Sequence, residues 1–225
     1  NRNIVLNLKG IINIIRGDLD EAEKLLIDSI NIDPLFIEPL KHLYVVYLRK
    51  NNWKKLLDTS LKLIKVDRLN LEVHYKLAYA YDQNKKYDEA INYYNKVIDQ
   101  NGKDKKNALN NIGNIYLSIN KAKESLDYFL KAISLDKNDK IIINNILRAY
   151  IILRDEKKSE IYFNLAKSVD ENYIEYKYNK AEYLILQNKI EEAIKILKEN
   201  KHEDKFKICL LNLLYNIGKF KEADN

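Results

Sequence analysis

Three asparagines, Asn111, Asn145 and Asn179, stand 34 residues apart, with Asn110, Asn114 and Asn144 beside them, and their spacing is the clearest chemical pattern in the chain. A carboxamide both donates and accepts, so a row of them can pair with the N–H and C=O of an extended polypeptide without demanding particular side chains. Groups suited to covalent or metal chemistry are scattered by comparison. His42, His74 and His202 are far apart and stand beside no acid pair or cysteine at metal-ligand spacing; His74 reads as a packed helix residue. Cys209 has no histidine or basic pair near it and reads as a small apolar residue. Acid pairs such as Asp88-Glu89 and Glu191-Glu192 fall at helix starts, where carboxylates suit the helix dipole. Gly10, Gly17, Gly102, Gly113 and Gly218 all occupy turn or packing positions, which leaves none for a phosphate-cradling loop. No catalytic constellation, metal site or cofactor is expected.

The elements that position these residues are set by a repeat. Ala22, Leu56, Ala90, Ser125, Ser159, Ala193 and Ala223 recur at steps of 34 or 35 residues, with a last step of 30. Gly10, Tyr44, Ala78, Gly113, Leu147, Ala181 and Leu211 recur in lockstep with them. One motif is thus copied about seven times, over 3–36, 37–70, 71–105, 106–139, 140–173, 174–203 and a shortened 204–225. Each copy reads as two amphipathic helices and a tight turn. In the third, Leu77, Ala78 and Tyr81 precede the turn, and Tyr87, Ala90, Tyr94 and Val97 make the following stripe. Small residues belong where two helices cross closely. The expected fold is all-α, a single solenoid of antiparallel helix pairs over 1–225.

Asn111-Ile112-Gly113-Asn114-Ile115-Tyr116 carries a recognisable first-helix signature. Gly17-Asp18-Leu19-Asp20-Glu21-Ala22, Lys86-Tyr87-Asp88-Glu89-Ala90, Lys189-Ile190-Glu191-Glu192-Ala193 and Gly218-Lys219-Phe220-Lys221-Glu222-Ala223 carry the turn into the second helix. With these motifs the chain resembles the tetratricopeptide repeat family over essentially its full length. The resemblance implies a right-handed superhelix whose first helices line a concave groove. It places Asn110, Asn111, Asn114, Asn144, Asn145, Arg148, Tyr178, Asn179 and Asn212 in that groove, with Tyr75 and Tyr79 as aromatic anchors just before the amides. The array is similar to the asparagine ladder in the repeat domain of O-linked N-acetylglucosamine transferase, which holds extended polypeptides. The cationic clamp that some members use on carboxylate tails is not matched, since Asn110, Asn114, Asn145 and Glu175 stand where it would want cations.

Departures from the motif predict local irregularity. Tyr44 and Leu56 replace two small residues in the second repeat, so its helices are expected to splay. The fifth repeat offers Arg154-Asp155-Glu156-Lys157-Lys158-Ser159 in place of the usual turn, and the sixth is four residues short, its second helix fading near Asn200. Ile4, Val5, Leu6, Leu8, Ile11, Ile12, Ile14 and Ile15 make the first helix apolar on nearly every side, which predicts burial on several faces. Leu210, Leu211, Leu214 and Phe220 are expected to be poorly covered. Both ends read as cut from a longer chain or as surfaces for self-association.

Composition narrows the function. The net charge of +6 comes from 39 basic and 33 acidic residues spread along the whole chain. The densest basic stretch, Arg49 to Lys65, has only Trp53 as an interleaved aromatic, so nucleic acid is not an expected partner. The abundant Asn, Lys, Ile and Tyr match the codon usage of an AT-rich genome, a second source for the asparagines. No apolar run approaches the roughly 20 residues that span a bilayer; 141–153 is interrupted by Asn144, Asn145 and Arg148. A lone cysteine makes the fold independent of an oxidising compartment and permits the cytoplasm, leaving localisation open. The leading expectation is a non-catalytic scaffold that binds an extended peptide or partner helix in the groove. The alternative is the repeat arm of a larger enzyme, a glycosyltransferase or a peptidase.

Overall fold

A computed structural model describes residues 2–219. Among these, thirteen helices and no strand occur. They run as hairpins: α1 (Arg2–Arg16) with α2 (Leu19–Ile32), α3 (Glu38–Arg49) with α4 (Trp53–Val66), α5 (Leu71–Gln83) with α6 (Tyr87–Asp99), and α7 (Lys105–Ser118) with α8 (Ala122–Leu135). Then come α9 (Lys140–Ile152) with α10 (Glu156–Asp170), α11 (Ile174–Leu186) with α12 (Ile190–Glu199), and α13 (Asp204–Asn216). Phe220 and Ala223 lie outside the described residues. The chain divides into two compact units, Asn1–Ala108 and Leu109–Asn225, the division falling inside α7. Within each, successive hairpins pack on one another, α2 on α3 and α4 on α5 in the first, α8 on α9 and α12 on α13 in the second.

One turn geometry follows the first helix of every repeat. Gly17, Asn51, Lys85, Asn120, Arg154, Asn188 and Gly218 all have φ between 52° and 87°. Such a residue ends a helix because its left-handed backbone swings the next N–H back onto the exposed carbonyls. That N–H is given by Asp18, Asn52, Lys86, Lys121, Asp155, Lys189 and Lys219, each 2.8 to 3.1 Å from the carbonyl five residues earlier. Asp18, Asn52 and Asp155 also cap the following helix, accepting from the N–H groups of Glu21, Lys55 and Lys158. The fifth repeat, expected to lack the turn, therefore has it in full. Arg154 accepts the strained backbone and Asp155 supplies the cap, which corrects the reading of an irregular junction there. The sixth repeat is short as expected: α12 has ten residues and ends at Glu199.

Small residues sit where the helices touch. A methyl group on Gly10 would lie 2.8 Å from carbons of Leu26, and one on Gly113 would enter the ring of Phe129. Ala22, Ala78, Ala90, Ala181 and Ala193 are fully buried. Leu56 is fully buried as well, and the bulky Tyr44 is buried beside a cavity that it helps to line. Two expectations about the ends are corrected. The first helix buries one face, through Asn7, Gly10 and Ile14, while Ile4, Val5, Leu8, Ile12 and Ile15 are exposed on the other. Leu210 and Leu214 are well covered, packing with Leu197 and Phe206 between α12 and α13, and Leu211 is half-buried.

Candidate functional site

The first helices of the repeats bring polar side chains together in the second compact unit. Asn144, Asn145 and Arg148 on α9, Glu175, Tyr178 and Asn179 on α11, and Lys205 on α13 line a cavity of about 240 Å³. Positions i, i+3 and i+4 share one helix face, and every lining residue belongs to the first helix of its repeat. Five of them, Asn144, Asn145, Arg148, Tyr178 and Asn179, are among the residues expected from the sequence. Glu175 and Lys205, which close the rim, were not among them.

The amides are engaged with each other. Asn145 Nδ2 donates to Asn110 Oδ1 at 2.8 Å. Asn179 Nδ2 donates to the Asn144 carbonyl at 3.0 Å and to Asn144 Oδ1 at 3.1 Å, while Asn144 Nδ2 donates to the Lys140 carbonyl at 2.8 Å. In the first unit His42 Nδ1 stands 2.9 Å from Asn7 Oδ1 at the same repeat positions. A side chain on one first helix thus grips a side chain on the first helix before it, 35 residues earlier in all three cases. The row of amides is in part a lock between repeats. Asn144 and Asn179 are almost wholly buried, Asn110, Asn111 and Asn145 are half-buried, and Asn114, Arg148 and Asn212 are exposed.

Electrostatics within the cavity are asymmetric. Burial works against ionisation of Glu175, but Lys205 Nζ, 2.8 Å away, outweighs it and holds the carboxylate below the usual glutamate value. Glu182, one turn beyond Tyr178, lies deeper; burial pushes its carboxyl up, against the nearby charge of Arg148 and a hydrogen bond from the Tyr178 hydroxyl. Burial and then Glu182 push Tyr178 well above the ordinary phenol range. Burial likewise raises the Cys209 thiol, which stands within hydrogen-bond reach of Tyr178. Among the described residues no ion pair holds Arg148, which leaves its guanidinium at the open rim.

Tyr75 and Tyr79 belong to a different cavity, in the first unit. With Tyr44, Leu48, Glu72, Lys76, Lys103 and Asp104 they line about 340 Å³. Tyr75 meets the Tyr94 ring edge-on at 5.6 Å, and Lys76 stands 5.4 Å from the Tyr44 ring centre while paired with Glu72 at 2.8 Å. The walls are aromatic, and the charges are at the rim.

Helix hairpins with this turn, this column of small residues and this lined first-helix face define a class of all-α repeat proteins. Residues 67–138 match the family model described as tetratricopeptide repeat. A crystal structure of a tetratricopeptide repeat protein from Parabacteroides merdae is 17% identical, with a TM-score of 0.85 over 99% of this chain and 89% of that one. A MamA protein is 20% identical with a TM-score of 0.68, over 78% and 95% of the two chains. PilF of Pseudomonas aeruginosa is 18% identical with a TM-score of 0.65, over 99% and 96%. No curated protein matches this sequence. The fold is thus that of tetratricopeptide-repeat structures, and residues 67–138 carry the sequence match to the family.

Proposed function

We propose that the chain is a non-catalytic protein-interaction scaffold and that the first-helix face of its second unit holds an extended peptide. The observation that carries this reading is the cavity of Asn144, Asn145, Arg148, Glu175, Tyr178, Asn179 and Lys205, in which cations, amides and an aromatic ring converge on one open face. Asn145 uses one N–H on Asn110, which leaves a second N–H and its amide oxygen for a peptide backbone. Tyr178 offers flat area at low entropic cost, and Arg148 a free guanidinium, the residue types that most often anchor partners. Glu175 is held as a carboxylate by Lys205, which keeps a fixed charge pair at the rim for recognition.

A phage-displayed library of random twelve-residue peptides, selected on the intact chain, tests the assignment. Asn145→Ala combined with Arg148→Ala should weaken the selected peptides by at least about tenfold with the thermal midpoint almost unchanged. These two are chosen over Asn179, whose buried amide joins α11 to α9. Unchanged affinity in the double variant rejects the assignment.

A further inference from the structure

The residue four places after the small first-helix position is apolar or aromatic in six repeats: Ile14, Leu48, Leu117, Ile151, Ile185 and Tyr215. In the third repeat it is Asp82. Nothing in the hairpin turn requires an acid there, since it is the Asp82 backbone carbonyl that accepts the N–H of Lys85 at 2.8 Å. The side chain is half-buried, and among the described residues no cation pairs with it. A desolvated carboxylate without a cation is costly, so a residue of this type in an apolar column calls for a partner.

Its surroundings indicate what that partner is. Asp82 follows Tyr79 by one turn of α5, roughly 5 Å along the axis, and Tyr75 and Tyr79 lie on the same helix face as it does. With Tyr44 they wall the 340 Å³ cavity of the first unit. The cations of that cavity are already committed, Lys76 to Glu72 at 2.8 Å and Lys103 to Glu72 at 3.3 Å. With Asp104 in the lining, two acids balance two bases; Asp82 lies outside that lining, one turn beyond Tyr79, close enough for its charge to act on the Tyr79 hydroxyl.

We propose that this cavity receives a lysine or arginine side chain of a bound polypeptide, its alkyl stem against the tyrosine rings and its cation paired with Asp82. A stem of three or four methylenes spans about one helical turn, the separation between Tyr79 and Asp82. Tyrosine faces also attract a cation directly.

The test uses the same displayed random dodecapeptides on the intact chain. Recovered peptides should be at least about threefold enriched in Lys and Arg over the unselected library. Asp82→Asn should abolish that enrichment and weaken the recovered peptides by about tenfold or more, whereas Asp82→Glu should retain both. Tyr79→Ser, as a second variant, should weaken the basic peptides similarly. Melting curves confirm that each variant is folded. Asn145→Ala with Arg148→Ala should leave the basic preference intact, so failure here is distinguishable from failure of the groove in the second unit. A pool with no basic excess, a pool enriched only in apolar or acidic residues, a library yielding no binder, or equal affinity in Asp82→Asn overturns the proposal.

Discussion

A methyl group on Gly113 has nowhere to go, because the rigid ring of Phe129 fills the space. Alanine gains about 1 kcal/mol in helix propensity over glycine, but forcing a methyl into a filled core costs about 1–3 kcal/mol. Gly113→Ala should therefore lower stability in urea unfolding, and the loss should vanish when Phe129→Leu is present. Asp82 gives the opposite outcome. Desolvation raises its carboxyl to about 6 from an ordinary 3.8. An acid whose folded value is raised destabilises the fold when ionised, so the penalty is complete above about 6 and absent below 3.8. Asp82→Asn should raise the melting temperature at pH 7.5, with the gap closing by pH 3.5; a constant gap contradicts the assignment. At this scale the sequence was partly readable. The column of small residues announced Gly10 and Gly113. The column containing Asp82 was equally visible, but an acid in an apolar register shows itself only once the repeats are aligned position by position. The mutual grip of Asn144 and Asn179 depends on the distance between two helices, which no spacing in the chain reveals.

Turns decide the elements. The left-handed residue that joins each hairpin is glycine or asparagine at Gly17, Asn51, Asn120, Asn188 and Gly218, the types that tolerate that backbone. Lys85 and Arg154 do not, and each adopts φ near 55° at a cost. Replacing Arg154 by Gly should stabilise the protein by about 0.5–1 kcal/mol, the αL strain relieved less the added freedom of the unfolded chain. Chemical denaturation measures it, and an unchanged midpoint would show that the strain is absorbed elsewhere. The asparagines at turns also explain part of the asparagine abundance, which composition alone assigned to codon usage. Between elements, Glu23 on α2 joins Tyr47 and Lys50, on and just after α3, to Lys55 on α4, with Lys50 at 2.6 Å and Lys55 at 2.7 Å. Burial pushes this carboxyl up, but hydrogen bonds from Lys50, Lys55 and Tyr47 bring it below its ordinary 4.5. A depressed acid stabilises above the unfolded value and loses that contribution as pH falls through the folded one. Glu23→Gln should thus be less stable than the parent at pH 7, with the difference shrinking as the pH falls below the ordinary 4.5.

Across the whole chain, repetition fixed the fold class and the phase of the hairpins, because the same steric demand recurs in every copy. The proposed function rests on the departures: Tyr44 where a small residue was expected, Asp82 in an apolar column, Arg148 and Lys205 among amides. Those departures all fall on first helices, while the second helices carry the alanines and serines of the packing column. Contacts with a bound polypeptide are therefore expected on one class of helix. Amide chemical-shift mapping of the isotope-labelled chain, titrated with a peptide selected from the random library, tests this most directly. For a peptide held by the second unit the expected perturbations fall on α9, α11 and α13, centred on Asn145, Arg148 and Tyr178; shifts confined to second helices, or to the exposed apolar face of α1, would contradict it.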